Sequence, residues 1–483
     1  DSAVDAAVAL YQKTKDTRYA ELSWQLKERV RAASLREMMG RGRGWTRRLP
    51  PEYWTNLDQL RALEGDELGA LTPSAATREQ IARLRLTLAE MEARAASATA
   101  KGSPTKGNDT PPAPRDYSIP FKSLEIFPDS ASLTHVGAAL GSSRTLISFH
   151  TGEAASYRWT ITNRTFDLKV LPGKRELRAK VEQMRSAIDK DKTNAETVSA
   201  SLFADLFGGL SGSASQGPWL VALDEGLFEL PLAALVSRRE GRPVYLAEDR
   251  AVELIPGAWA ISSATDAAHP GSFLGAADGI YNTADPRYRT PGAWWRNLAT
   301  PARSDRATIR QWPRLMASGM EIRQCSMRSA APAHLLTGAE LNRKSFVAAL
   351  ASQPAYIHIA THILWNEAER KSAIALGIAP RADGSPNLEL LTADDIANLR
   401  TPGAVVVMSG CASLKGEEAP AAGLLGLSRA WLAAGAGAVI ATLWPTPDDA
   451  GDLLARFYQH LHSDAQSDRL APAEALRRAQ VDM

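Results

Sequence analysis

The chain reads as an α/β protein with a mainly parallel central sheet, preceded by an α-helical region, and three observations carry that expectation. AYIHIATH, ending at His362, and AVVVMSGC, ending at Cys411, are short apolar runs that stop at polar, small-residue corners. Runs of roughly four to eight apolar residues rich in Val and Ile, bounded by breakers, mark strands buried on both faces of a parallel sheet. Before residue 95 the apolar residues instead recur at helical spacing. From Thr145 the pattern changes to period two and then returns to helix.

Taken in order, Leu22, Leu26, Val30 and Ala33 form one apolar stripe on a helix whose other face carries Lys27, Arg29 and Arg31. Thr77 with Gln80 reads as a capping box, and Ile81, Leu84, Leu88 and Met91 then repeat with a heptad rhythm. Together they predict a helical hairpin or the last helices of a repeat array, although no internal period is long enough to define repeats. Between them RGRGWTRR, Arg41 to Arg48, either contacts phosphate or an acidic partner or is a solvated helix end. The second reading is preferred, because four arginines beside two glycines lack the wider basic surface of a nucleic-acid site. From Ala96 to Tyr117 the chain is dense in Pro, Gly, Ser and Lys, with too little apolar surface to stay folded, and reads as a linker.

Thr145 to Phe149, then Tyr157, Trp159 and Ile161 alternating with Arg158 and Thr160, then Phe166, Leu168 and Val170, read as an antiparallel meander. Leu177, Val181, Met184 and Ile188 follow at helical spacing. WLVALDEGLFELPLAAL, from Trp219, reads as a buried strand, a turn at Asp224 to Gly226 and an apolar helix start. Asp224 or Glu225 could meet a substrate, but Asp-Glu-Gly is also ordinary turn chemistry. Further strands are expected at Val252 to Ile255 and Ser272 to Ala276. The stretch from Asp278 to Trp312 reads as a long surface excursion; Trp294 and Trp295 either edge a groove or bury the loop on its own domain. Histidines His135 and His150 have no cysteine near them in sequence and read as structural or surface groups.

Composition narrows the function. A chain of 483 residues predicts two or three folded units, here set at 1–95, 118–217 and 218–483 with the linker at 96–117. A hydrophobic fraction of 45% and a charged fraction of 23% are those of an ordinary globular protein. Net charge of +2 gives no bulk reason to bind nucleic acid or an acidic membrane. No apolar run approaches the ~18 residues of a membrane span, and the start has no leader pattern. Because it opens on Asp1 and not on methionine, the sequence reads as a piece of a longer chain whose upstream repeats are missing. Cys325 and Cys411 make no disulfide framework, which points to a reducing cytoplasm while leaving one bond between them open.

In open parallel sheets the working residues sit just past the carboxyl ends of the strands, where His362 and Cys411 both fall. A cysteine attacks a carbonyl as thiolate, so a free thiol titrating near ~8.5 needs a neighbouring base, and His362 can supply it. Ser409, Gly410, Ala412 and Ser413 are small enough for the backbone to close on a substrate carbonyl. His358, four residues earlier and inside the strand, is expected to be packed.

The segments LLTGAELNRKSFVAAL, YIHIATH, VVVMSGCAS, GLLGLSRAWLAAGAGAVIATLWPTPDD and ALRRAQ resemble, in that order, the CHAT family of caspase-like cysteine peptidases. The likeness runs from about Leu124 to Met483, and the 49 residues from His362 to Cys411 are close to the interval of about 50 found in caspases. It implies a three-layer caspase-like fold, a non-catalytic pseudo-caspase half followed by an active half, behind a helical or tetratricopeptide-type region. It also implies a His362–Cys411 dyad, with an oxyanion held by the backbone amides of Ile363 and Cys411. The chain departs from the family at Ile363, where glycine usually follows the histidine, and at Gly410, where alanine is usual.

Asp449, in the WPTPDD segment that resembles the family's Trp-Pro-x-x-Asp-type motif, leads Asp448, Glu418 and Glu417 as candidates to line the substrate pocket. If one of them does, a basic residue is expected before the scissile bond. The family implies no cofactor and no metal. It implies cleavage of a dedicated protein partner, sometimes after activation by another macromolecule, as in bacterial systems that process gasdermin-like or CRISPR-associated targets. The alternative is a catalytically silent scaffold that binds a partner, and a weaker third reading is a nucleotide-binding flavodoxin-like domain. The nearest glycine run, AAGAGAVIATLW, follows a helix and enters a strand, the reverse of a dinucleotide fingerprint.

Overall fold

The computed structural model describes residues 2–31, 35, 49–69, 74–100, 132–190, 194–210, 217–239, 241–262, 271–288, 312–366, 371–380, 386–409, 426–443, 451–462 and 471–483. The first helices are α1 (Ser2–Thr14), α2 (Thr17–Val30), α3 (Pro51–Gly69) and α4 (Ala75–Ala100). Helices α3 and α4 form a hairpin, so the Ile81–Met91 helix pairs with α3, which the sequence reading did not contain, and not with α2: Ile81 and Leu88 are buried against Leu49, Tyr53 and Leu60, with Leu84 and Met91 packed alongside. Helix α4 starts at Ala75, so Thr77 lies inside its first turn and is not its cap; it also runs through Ala100, into the stretch read as linker. Arg41 to Arg48 lie outside the described residues.

Helix α2 corrects the sequence reading more deeply. Its buried side is Ala20, Ser23, Trp24, Lys27 and Glu28, continued by Arg31, whereas Val30 is 52% exposed. The charged face goes inward because a buried partner, Asp224, waits there with its carboxylate 2.9 Å from Lys27 Nζ. A buried cation is tolerated when it is paired and hydrogen-bonded.

After α5 (Leu133–Leu140) come β1 (Thr145–His150), β2 (Ser156–Ile161) and β3 (Phe166–Leu171), the meander expected from the alternation. Helices α6 (Lys174–Asp189) and α7 (Ala195–Phe207) lead to β4 (Trp219–Ala222), the β5–β6 ribbon (Val236–Arg239 and Arg242–Tyr245) and β7 (Val252–Leu254). The first sheet has the order β3-β2-β1-β4-β7, with β1, β4 and β7 parallel. Val181, Met184, Leu202 and Leu206 cover one face on Ile147 and Val221. Val8, Trp24, Val136 and Leu140 cover the other on Leu146, Trp159 and Leu220. Strands β4 and β7 complete the first sheet, and the second sheet begins at Phe273.

The second sheet contains β8 (Phe273–Gly279), β9 (Ala333–Gly338), β10 (Tyr356–Ala360), β14 (Val405–Met408) and β15 (Ala438–Ala441). Its order is β15-β14-β10-β8-β9, and every neighbouring pair is parallel. Between β10 and β14 an antiparallel sheet of β11 (Ile363–Asn366), β12 (Lys371–Pro380) and β13 (Pro386–Thr392) is inserted. Helices α8 (Ser318–Arg328), α9 (Arg343–Leu350), α10 (Gly426–Ala433), α11 (Gly451–His462) and α12 (Pro472–Val481) complete this half.

Pleat alternation divides β10 between two layers. Ile357 and Ile359 join Val406, Met408, Phe346, Leu427 and Trp431 on one face. Tyr356 joins Val405, Val407, Cys325, Phe457 and Ala475 on the other. Both halves are thus helix–sheet–helix sandwiches, the caspase-like three-layer arrangement. Helix α12 also packs on β7, with Arg477 donating to Glu248 O at 3.3 Å. Helix α3 lies on β13, and Arg61 donates at 2.9 Å to Asp395 in the helical turn Ala393–Ala397 that follows it. Among the described residues no helix is long and apolar enough to cross a membrane.

Candidate active site

Strand β10 ends at Ala360, Thr361 is buried, and His362 already belongs to a second ladder, its carbonyl accepting from Ala375 N–H at 2.9 Å. The imidazole is thereby held at the corner between the parallel sheet and the β11–β13 sheet. Its Nε2 is 2.8 Å from the carbonyl oxygen of Pro313. A carbonyl only accepts, so Nε2 carries the hydrogen and, in the neutral ring, Nδ1 holds the lone pair. The Tyr281 ring meets the imidazole edge-on, with centroids 4.7 Å apart and planes at 77°.

The same ladder aims the backbone of the next residue. Ala375 N–H donates to His362 O, so Ile363 and Ile374 form the alternate, non-bonded pair and Ile363 N–H points away from β12. Because β11 is the edge of its sheet, that amide faces outward despite the bulky side chain.

Strand β14 runs beside β10, Tyr356 level with Val405 and Ile359 with Met408, and Ser409 N–H continues the ladder to Ile359 O at 3.0 Å. Paired residues are 49 apart in the chain, as are His362 and Cys411. Gly410, Cys411, Glu417, Glu418, Asp448 and Asp449 lie outside the described residues, as do Trp294 and Trp295.

His358 is fully buried, as expected of a histidine inside the strand. Its Nε2 is 2.7 Å from Glu321 Oε1, and its ring stacks on Tyr458 with centroids 5.7 Å apart. Cys325 is buried and free on the same side of the sheet. Burial, aided by the charge of Glu321, pushes its thiol far above the ordinary value.

A second polar cluster occupies the carboxyl end of the first sheet. Asp224 accepts from Lys27 Nζ and from Thr151 N–H at 2.8 Å, and its Oδ2 lies 3.2 Å from His150 Nδ1. Burial alone would raise this carboxyl; the hydrogen bond with His150 and the charges of Lys27 and Arg31 outweigh it and hold the group well below the usual carboxylate range. Glu225 pairs with Lys174 at 2.6 Å, and Leu227 N–H closes the expected turn on Asp224 O. Both carboxylates are engaged within the chain, His150 is buried beside Asp224, and His135 is exposed on α5. Among the described residues no three His, Cys, Asp or Glu side chains converge as metal ligands do.

The CHAT domain model matches residues 195–483. The chain belongs to the CHAT family. A CHAT domain is caspase-like and protease-related, which agrees with the parallel sheet and with a histidine at the end of β10. The matched region starts at the first residue of α7, so it takes in β4 and β7 of the first sheet together with the whole of the second. Tetratricopeptide repeat protein 28 from Homo sapiens is 31% identical over 156 residues, covering 26% of this chain and 6% of that protein. Its Mus musculus counterpart matches equally. The chain thus spans a small part of these curated relatives.

Reading residues alone missed Pro313 and Tyr281 as neighbours of His362. The contact from Pro313 is through a carbonyl that any residue carries, so the side chain gives no signal. Tyr281 lay within the aromatic stretch read as a surface excursion, yet it is fully buried.

Proposed function

We propose that this chain is a cysteine endopeptidase in which His362 and Cys411 form the catalytic dyad. The observation that carries the reading is the register: the 49-residue offset between β10 and β14 equals the separation of His362 and Cys411. A pair at that offset, just beyond the last paired residues, would stand at one level on parallel strands about 5 Å apart.

In the proposed reaction Nδ1 of His362 takes the proton from the Cys411 thiol, and the thiolate attacks the carbonyl carbon of the scissile peptide bond. The carbonyl electron pair moves to oxygen, which the amides of Ile363 and Cys411 receive. As the pair returns, the carbon–nitrogen bond breaks and Nδ1–H protonates the departing amine. Water then releases the acyl group from sulfur. Asp449, with Asp448, Glu418 and Glu417, is the proposed source of preference for a basic residue before the cut. A reducing compartment such as the cytoplasm suits a working thiol, and the helices before residue 100 are the proposed place for an activator to act.

The product decides between this reading and a silent scaffold. Incubating the chain with its co-purifying protein partner and mapping new N-termini is expected to give a defined cleavage site that disappears in Cys411→Ala. Stable binding without new N-termini in the unsubstituted chain would instead make it a scaffold.

A further inference from the structure

The imidazole of His362 is oriented by a strap, residues 312–318, that crosses from the excursion after β8 to α8. Pro313 O, the acceptor for Nε2, belongs to it. Each end of the strap is tied to the exit of β8. Trp312 N–H donates to Tyr281 O at 3.2 Å and Asn282 Nδ2 to Trp312 O at 3.2 Å. At the other end Ser318 Oγ receives Asp278 N–H at 3.0 Å and donates to Leu315 O at 2.7 Å.

Between these ties sits Asp278. Arg314, next to Pro313, places Nε 2.7 Å from Oδ1 and Nη2 2.7 Å from Oδ2 of Asp278, a two-pronged pair. Arg287 closes the other side, with Nη1 2.9 Å from Oδ2 and 3.1 Å from the Asp278 carbonyl, and it also pairs with Asp285. Asp278 has φ of +48°, a left-handed conformation that Asp tolerates better than most residues. That turn lets its carbonyl and its carboxylate face the same arginine. Its side chain is 12% exposed and Arg314's 37%. A buried carboxylate with two guanidinium partners resists displacement far more than a surface pair does.

We infer that Asp278 and Arg314 are positioning residues for His362: their pair fixes the strap so that Pro313 O holds the hydrogen on Nε2 and leaves Nδ1 as the base. This deepens the peptidase reading and rests on it for its purpose, but not for its geometry.

Histidine-ring NMR on the full chain, at a pH where the His362 ring is neutral, reads the tautomer directly. The unsubstituted chain should carry the hydrogen on Nε2. Arg314→Ala and Asp278→Asn should each raise the share of the Nδ1–H form by about fivefold, the population factor of one ordinary hydrogen bond. Arg314→Lys, which keeps the charge without the two-pronged geometry, should fall between. A tautomer ratio unchanged in folded Arg314→Ala overturns the inference, and because that side chain is partly exposed the test stands even where Asp278→Asn fails to fold. Cys411 alkylation at pH 7 separates the two claims. If the ratio shifts but His362→Ala alkylates as the unsubstituted chain does, the positioning inference holds and the dyad reading fails.

Discussion

Asp224 accepts hydrogen bonds from Lys27 and Thr151 while almost fully buried, so its charge is stabilised only by what surrounds it. Replacing a buried ion pair with apolar groups can be neutral, but removing one partner strands the other and costs about 3–5 kcal/mol. Asp224→Asn is therefore expected to lower stability by roughly that amount at neutral pH. Its folded-state pKa is held below the unfolded value of about 3.9. The contribution is thus complete above that value and lost as pH falls below it. Urea midpoints from neutral to acid pH should drop steeply below pH ~4 in the unsubstituted chain and less in Asp224→Asn; parallel curves would refute the assignment. None of this was legible beforehand. Lys27 and Asp224 are 197 residues apart, and the Leu22–Leu26–Val30 stripe pointed to the opposite face of the helix.

Among the elements, those defined by their own local pattern were readable. The heptad rhythm of α4, the meander of β1 to β3 and the apolar runs of β10 and β14 all fold as their spacing predicts. What one element does to another was not readable. Gly65 on α3 faces β13 so closely that an added Cβ would lie 2.5 Å from the Leu388 carbonyl oxygen. In a free helix Gly→Ala gains about 1 kcal/mol, but here the methyl meets backbone that cannot move aside, and such overpacking costs about 1–3 kcal/mol. The clash wins. Gly65→Ala should loosen the docking of α3 and speed hydrogen exchange at Leu388 and Leu390, whereas slower exchange would mean that the hairpin does not seat on β13 as described.

At the scale of the whole molecule, two three-layer halves meet through α12, and the helices before residue 100 touch both: α2 reaches Asp224 and α3 reaches Asp395. The meander and the apolar runs of β4, β7, β8, β10 and β14 were legible, but the β5–β6 ribbon, β9 and the inserted β11–β13 sheet were not. Nor was the allocation between sheets, because a short apolar run such as Trp219–Ala222 fits either parallel sheet. The place of His362 just past the end of β10 was legible; its contact with Pro313 was not, since the acceptor is a main-chain carbonyl. These layers give the account a sharp contrast between the two cysteines. Cys325 lies in the core with a thiol pushed up by burial. Cys411 is proposed as a thiolate made by His362. The most direct measurement is the rate of iodoacetamide alkylation at each cysteine by peptide mass spectrometry from pH 5 to 9, with and without His362→Ala. Cys411 is expected to react well below pH ~8, ahead of its ordinary thiol value, and to lose that advantage in the variant while Cys325 stays slow in both. Equal, slow reaction of the two cysteines, unchanged by His362→Ala, would contradict it.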